Sequence, residues 1–413
     1  MKKIKSAILR LIATVALLAI YGSSWAIAKL LSGRGRYPME SSGRILVIGT
    51  FHNPNWFHAH IRPLTRSGVS EVILVCDEAV EALDNLRYEC PPALLSKIFS
   101  RALAKFFWAI RCGWHYRPDL YMGYHIFPAA VSALVAARLF RRPACYQVTS
   151  GPLELEGGGW HAENRLLVAL GRPSRLVERF VFAVVRAFDL VVVRGNRAAD
   201  FVRHLGYRGR LCVITGSIEA PAQAVPLSLR ADDLVFVGRL TEYKRPDRFV
   251  KVVSEVVKEL PSLKAVLIGD GPDADDLKAQ ARALGVSQHL HFMGQRSDVP
   301  DLVARAKVFV LTSRWEGMSI AMLEAMAMGT VPVVAEVGDL GDIVRNDHNG
   351  YILPGDSIEQ FREKIVRLLK DSDHWQACSA AASRDACEYS STEAIAARWR
   401  NELSAVIEQH QRG

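Results

Sequence analysis

Short apolar runs, several of them ending in glycine, alternate with stretches of helical period along most of the chain. Arg44-Ile-Leu-Val-Ile-Gly-Thr50 reads as a buried parallel strand, because a strand covered on both faces loses the alternation of a half-solvated one. Further strands are predicted at 71–76, 120–124, 144–148, 190–193 and 211–215, with helical stretches between them, one near 58–67. Residues 218–231 have two prolines and no period, which predicts a linker. The pattern then restarts, with strands at 235–238, 265–269, 289–292, 308–311 and 331–335 and helices between them. This alternation predicts an α/β chain of two doubly wound, Rossmann-like domains, 44–217 and 232–390, facing a cleft lined by the carboxyl ends of their strands. A final helix within 391–413 stands apart and is free to pack back on the first domain.

Length agrees with two domains, since 413 residues exceed one ordinary core. The seven cysteines are scattered, odd in number and form no CxxC pair, which argues against a disulfide framework or a zinc site and fits a reducing compartment. The net charge of +9 is unevenly spread: residues 1–220 hold 29 Lys/Arg against 15 Asp/Glu, and residues 221–413 hold 23 against 28. A basic half implies an anionic surface as partner. No basic motif with interleaved aromatics accompanies the charge, so nucleic acid is not expected.

The segment 1–36 contains 18 uncharged residues, from Leu11 to Ala28, flanked by Lys2, Lys3, Lys5 and Arg10 before and Lys29, Arg34 and Arg36 after. Three readings fit: a membrane anchor, a signal peptide cleaved after Ala26-Ile27-Ala28, or a helix lying in the membrane interface. A second feature points to a membrane. In residues 94–108, Lys97, Arg101 and Lys105 recur every four residues among Leu94, Leu95, Ile98, Leu103, Phe106 and Phe107, as one basic stripe on an amphipathic helix.

Candidate chemistry concentrates at 235–335. A strand ending at Leu311 leads through Thr-Ser-Arg-Trp-Glu316-Gly317 into a helix that opens near Met318 or Ser319. A helix N-terminus offers free amides and partial positive charge, enough to hold a diphosphate. Glu316 lies just before this end and Glu324 eight residues on, so both can face one cleft. Upstream, Gly238-Arg239-Leu-Thr-Glu-Tyr-Lys244 leaves a strand with two cations suited to the charge on a departing diphosphate. Asp273-Ala-Asp275-Asp276 superficially resembles a metal-binding pair, but it opens a helix, where acids favour the positive end. No metal site is expected.

The order Gly-Arg-Leu-x3-Lys, Gly269-Asp-Gly-Pro272, Phe292-Met-Gly294 and Glu-Gly-x6-Glu-Ala-Met-Ala-x-Gly-x2-Pro-Val-Val, spread over about 120 residues, resembles glycosyltransferase family 4. The resemblance implies a GT-B fold, a UDP-, GDP- or similar nucleotide-sugar donor, retention at the anomeric carbon, and neither metal nor other cofactor. It also implies roles: Arg239 and Lys244 hold the donor diphosphate, Glu316 approaches the donor sugar and Glu324 binds the ribose. The loop glycines Gly238, Gly269, Gly294 and Gly317 and the amides of Met318, Ser319 and Ile320 complete the donor site.

The first domain departs from the family pattern, with Thr50-Phe-His-Asn-Pro-Asn-Trp56 where a glycine pair is usual. His125 resembles a family histidine near the transferred sugar, although a structural histidine fits equally. Gly157-Gly-Gly159 reads either as a mobile loop and a lid over the acceptor or as an ordinary surface turn. The resulting expectation is a transferase acting on a membrane-associated glycan, polyprenyl-linked, in envelope polysaccharide assembly at the inner face of the cytoplasmic membrane. A nucleotide-sugar epimerase and a non-catalytic, membrane-tethered binding protein are the alternatives.

Overall fold

The computed structural model describes residues 2–32, 43–160, 164–219 and 225–412. Arg34, Arg36 and part of the 218–231 stretch therefore lie outside the described residues. The chain divides into two compact units, Met1–Gly216 with Ile395–Gly413, and Ser217–Ala394.

Unit 1 opens with α1 (Lys2–Ser32), β1 (Arg44–Ile48), α2 (Pro54–His60), α3 (Arg62–Thr65), β2 (Glu71–Val75) and β3 (Leu86–Glu89). It continues through α4 (Ala93–Tyr116), β4 (Leu120–Tyr124), α5 (Val131–Leu139), β5 (Ala144–Gln147), α6 (Arg165–Val168) and α7 (Arg175–Val185). It closes with β6 (Leu190–Val193), α8 (Asn196–His204) and β7 (Arg210–Val213). The seven strands are all parallel, in the order β3-β2-β1-β4-β5-β6-β7. The single helix expected near 58–67 is two, because Pro63 sits where α3 begins and Ile61 separates it from α2.

Unit 2 contains β8 (Asp232–Val237), α9 (Pro246–Val257), β9 (Ala265–Ile268), α10 (Ala274–Ala283), β10 (Leu290–Gly294), α11 (Val299–Ala304) and β11 (Ala306–Leu311). Next come α12 (Ile320–Ala327), β12 (Val331–Ala335), β13 (Tyr351–Leu353), α13 (Ile358–Lys370) and α14 (Ser372–Ser390). Its six parallel strands run β10-β9-β8-β11-β12-β13. The last helix, α15 (Thr392–Arg412), buries Ile395, Trp399, Leu403 and Val406 against Ile45, Val47, Val72 and Leu74 of the unit 1 sheet. The described part of 218–231 is packed on unit 2. Ile218 pairs with Ser391, and the buried Arg230 donates to the carbonyls of Val225, Ala306 and Met328 and to Thr330 Oγ1.

Strand order reverses direction between β1 and β4 in one unit and between β8 and β11 in the other. The loops leaving the two strands on either side of such a point diverge and open a crevice beyond the carboxyl ends. Residues 50–53 and His125 leave the first switch point, and Gly238–Lys244 and Thr312–Gly317 leave the second.

Two sequence readings change here. The Lys97–Arg101–Lys105 stripe is broken at Ser100, whose φ of 73° interrupts α4. Lys105 then turns inward, buried at 2.8 Å from Asp77 Oδ2 and from Thr50 Oγ1, while Lys97 and Arg101 stay exposed. Gly157–Gly159 is a turn packed against α7 and not an open loop. All three glycines have positive φ, Gly158 is buried against Val177 of α7, and the Gly157 amide donates to Glu178 at 2.8 Å.

Candidate functional site

In unit 2 the exits of β8, β9 and β10 are fused backbone to backbone. The Gly238 amide donates to Ile268 O at 3.0 Å, and the Gly269 amide to Gly294 O at 2.9 Å. Gly269 has φ 138°, and a Cβ there would stand 1.9 Å from the Gly238 carbonyl oxygen, so only glycine fits. From this platform the loop carrying Arg239 turns into α9. Arg239 is exposed, whereas Lys244 is half-buried.

The loop leaving β11 is tied to the Lys244 loop on both flanks. The Arg314 amide donates to Tyr243 O at 2.8 Å, and Thr312 Oγ1 to Arg245 O at 2.8 Å. Between these ties Lys244 Nζ reaches Glu316 Oε1 at 2.6 Å, and Ser313 Oγ donates to the same oxygen at 2.6 Å. Glu316 and Gly317 rest on Gly338, where a Cβ would lie 2.1 Å from the Glu316 carbonyl oxygen at a φ of 54°. The structure thus brings Gly238, Lys244, Glu316 and Gly317 together.

Helix α12 begins directly after this loop, with Ser319 as its N-cap accepting from the Met322 amide at 3.3 Å. The opening is one residue later than the sequence reading placed it. Met318 and Ser319 are buried, and the first-turn amides of Ile320 and Ala321 have no intrahelical acceptor. Further along, Glu324 is half-buried between Leu323 and Ala325, and burial alone pushes its carboxyl up to about 7. A solvated helix residue would not behave so.

In unit 1, His125 stands at the exit of β4 with φ 62° and keeps about half of its side chain exposed. Its Nδ1 lies 2.6 Å from Thr149 Oγ1 and 3.7 Å from Glu154 Oε2. Glu154 is buried, yet its carboxyl titrates at about 2. Burial opposes that shift, but His125, the Thr149 amide and the Tyr146 hydroxyl outweigh it. The same carboxylate also accepts from the Ile126 amide at 2.6 Å and the Ser150 amide at 3.1 Å. It is therefore the hub that shapes the His125 loop. Glu154 was not singled out from sequence, and the same holds for Ser313 and Gly338; an acid in a run as apolar as Pro152-Leu-Glu-Leu155 was the available signal.

Comparison with known proteins bears on unit 2 first. Residues 220–385 match the family model for glycosyl transferases group 1. The chain is 31% identical over 150 residues to the UDP-Gal:alpha-D-GlcNAc-diphosphoundecaprenol alpha-1,3-galactosyltransferase of Escherichia coli, covering 35% of this chain and 39% of the relative. It is 28% identical over 233 residues to the poly(glycerol-phosphate) alpha-glucosyltransferase of Bacillus subtilis, covering 55% of this chain and 34% of the relative. The chain thus spans less than half the length of either relative. Among solved structures, Anabaena HepE in complex with UDP superposes with a TM-score of 0.69 at 17% identity, over 88% of this chain and 100% of that one. The family match over residues 220–385, and the two-sheet architecture shared with the superposed structure, make the chain similar to glycosyltransferases of the GT-B superfamily.

Proposed function

We propose that the chain transfers a sugar from a nucleoside diphosphate sugar to a lipid-linked glycan acceptor in envelope polysaccharide assembly, with retention and with no metal or other cofactor. The catalytic units would work from the inner face of the cytoplasmic membrane. One observation carries the reading: Lys244 and Glu316 are held 2.6 Å apart, between two strand exits and beside a helix N-terminus. This arrangement fits a donor whose diphosphate arrives with two negative charges and gains another as the glycosidic bond breaks.

Lys244 neutralises Glu316 until the donor is bound. A diphosphate then competes for the ammonium, aided by Arg239 and the amides of Ile320 and Ala321. Glu316, released from the pair but still held by Ser313, is left to accept from sugar hydroxyls. Glu324 takes the ribose hydroxyls, which supply the hydrogen bonds its carboxyl lacks. His125, steered by Glu154, serves the transferred sugar. The Escherichia coli relative, a galactosyltransferase named for a UDP-sugar donor and a diphosphoundecaprenol-linked acceptor, supports the donor and acceptor classes.

The test incubates the full chain with radiolabelled UDP- and GDP-sugars and a bacterial membrane extract, following label into the lipid fraction. Transfer is expected for the wild type and a loss on the order of 100-fold or more for Lys244→Ala, with an unchanged circular dichroism spectrum. Absence of transfer from every donor would sink the function. Near-wild-type turnover of Lys244→Ala would sink the role of the lysine.

A further inference from the structure

The first helix carries more information than its hydrophobicity. Ala13, Leu17, Tyr21, Ser24 and Ala28 are buried, a single stripe at spacings of three and four. Leu17, Tyr21 and Ala28 join the core formed with α5 and α7, and Gly22 lets the Phe180 ring approach α1 closely. Tyr21 also meets Phe127, two residues past His125, edge to face at 6.3 Å. Its buried hydroxyl is raised by burial and by the neighbouring charge of Glu154. The helix is thus an outer layer of unit 1 that backs the His125 loop. Crossing a bilayer would strip this stripe from the core.

The rest of α1 is uncovered and apolar. Ile8, Leu9, Leu11, Ile12, Val15 and Leu30 are each more than half exposed. On the same side of the sheet, α4 packs on α5 as α1 does, and it exposes Leu94, Ile98, Leu103 and Phe107. The charge on these helices is nearly all of one sign. Among the side chains the structure describes, Lys29, Lys97, Arg101, Arg165, Arg175 and Arg179 are exposed cations on α1, α4, α6 and α7, and Glu178 is the single acid there. Glu178 is itself engaged by the Gly157 amide. An apolar surface framed by cations matches an anionic lipid surface in both properties.

We infer that α1 lies within one leaflet of an anionic bilayer as a fixed part of unit 1, and does not span it. This deepens the membrane part of the proposed function and stands independently of the donor chemistry. The test uses the full chain with vesicles of phosphatidylglycerol and phosphatidylethanolamine, and with phosphatidylcholine vesicles for comparison. Nitroxide labels are placed by Ile8→Cys, Val15→Cys, Ala19→Cys and Ala26→Cys, with Cys90, Cys212 and Cys387 replaced by Ser. All four labels should sit within about 10 Å of the phosphate level in the anionic vesicles. The triple variant Ile8→Glu/Ile12→Glu/Val15→Glu should bind them on the order of 100-fold more weakly while keeping its melting temperature.

A label at the bilayer midplane with the helix ends on opposite sides would overturn the inference in favour of a span. Equal binding to phosphatidylcholine would overturn the role of charge. Labels shielded by a second copy of the chain, with no lipid contact, would overturn the bilayer as partner. None of these outcomes depends on sugar transfer, so the failure of either reading is distinguishable from failure of the other.

Discussion

Replacing Glu324 with Gln is expected to stabilise unit 2 above neutral pH while weakening donor binding. Burial holds the folded carboxyl at about 7, against an ordinary value of 4.5. Between those values the folded state binds more protons than the unfolded chain, so stability falls as pH rises from about 4.5 to 7 and then levels off. The full loss is about 3 kcal/mol. Glutamine keeps the size of the side chain and cannot ionise, so the variant escapes this loss. For a unit of this length the difference amounts to roughly 6–12 °C in melting temperature at pH 8 and nearly nothing at pH 4. Calorimetry of both proteins from pH 4 to 8 isolates the effect, because the other titrating groups are common to both. Parallel melting curves across that range would refute the reasoning. So would a wild-type melting temperature that rises relative to the variant between pH 5 and 7. The donor side is read by titrating UDP at pH 8, where loss of a charge-assisted pair of hydroxyl contacts should weaken binding by roughly 10–100-fold.

Gly269→Ala would force a methyl group to 1.9 Å from the Gly238 carbonyl oxygen, so the strand exits must separate. We expect at least about 2 kcal/mol of destabilisation and a greater loss of UDP affinity than of fold; wild-type affinity measured by calorimetry would contradict the geometry. Glu154→Gln removes the carboxylate that gathers the His125 loop. Because the carboxyl titrates at about 2 in the fold and near 4.5 when unfolded, its stabilisation is complete above about pH 4.5 and is lost as pH falls towards 2. The variant should be about 3 kcal/mol less stable at pH 7 in urea unfolding, and should turn over more slowly than its folded fraction explains.

The long parallel strands were legible because burial on both faces leaves an apolar run in the sequence, as in Val331–Ala335. The two strands that sequence reasoning missed, Leu86–Glu89 and Tyr351–Leu353, are the short outer strand at one edge of each sheet. Leu-Arg-Tyr-Glu is only half covered and mixes polar with apolar positions, so no run survives to be read. Candidate site residues were legible where one loop supplied them, as with Gly238 to Lys244. The Lys244–Glu316 pair was not, because it joins side chains 72 residues apart through backbone ties that carry no side-chain signature. Periodicity also misled at Lys105, since a stripe every four residues presumes an unbroken helix and Ser100 breaks it. Glu154 escaped notice for a related reason: its five donors come from positions 126, 146, 149 and 150, which only the fold assembles.

The place of α15 in the chain sets an order on biosynthesis. One face of the unit 1 sheet, with Ile45, Val47, Val72 and Leu74, is covered partly by Phe57, Ile61 and Leu64 and completed by a helix that the ribosome makes only after the whole of Ser217–Ala394. At about 5–20 residues per second, that face waits roughly 10–35 s for the rest of its cover. During that interval the nascent chain presents uncovered aliphatic side chains, and a chaperone or a membrane surface has time to reach them first.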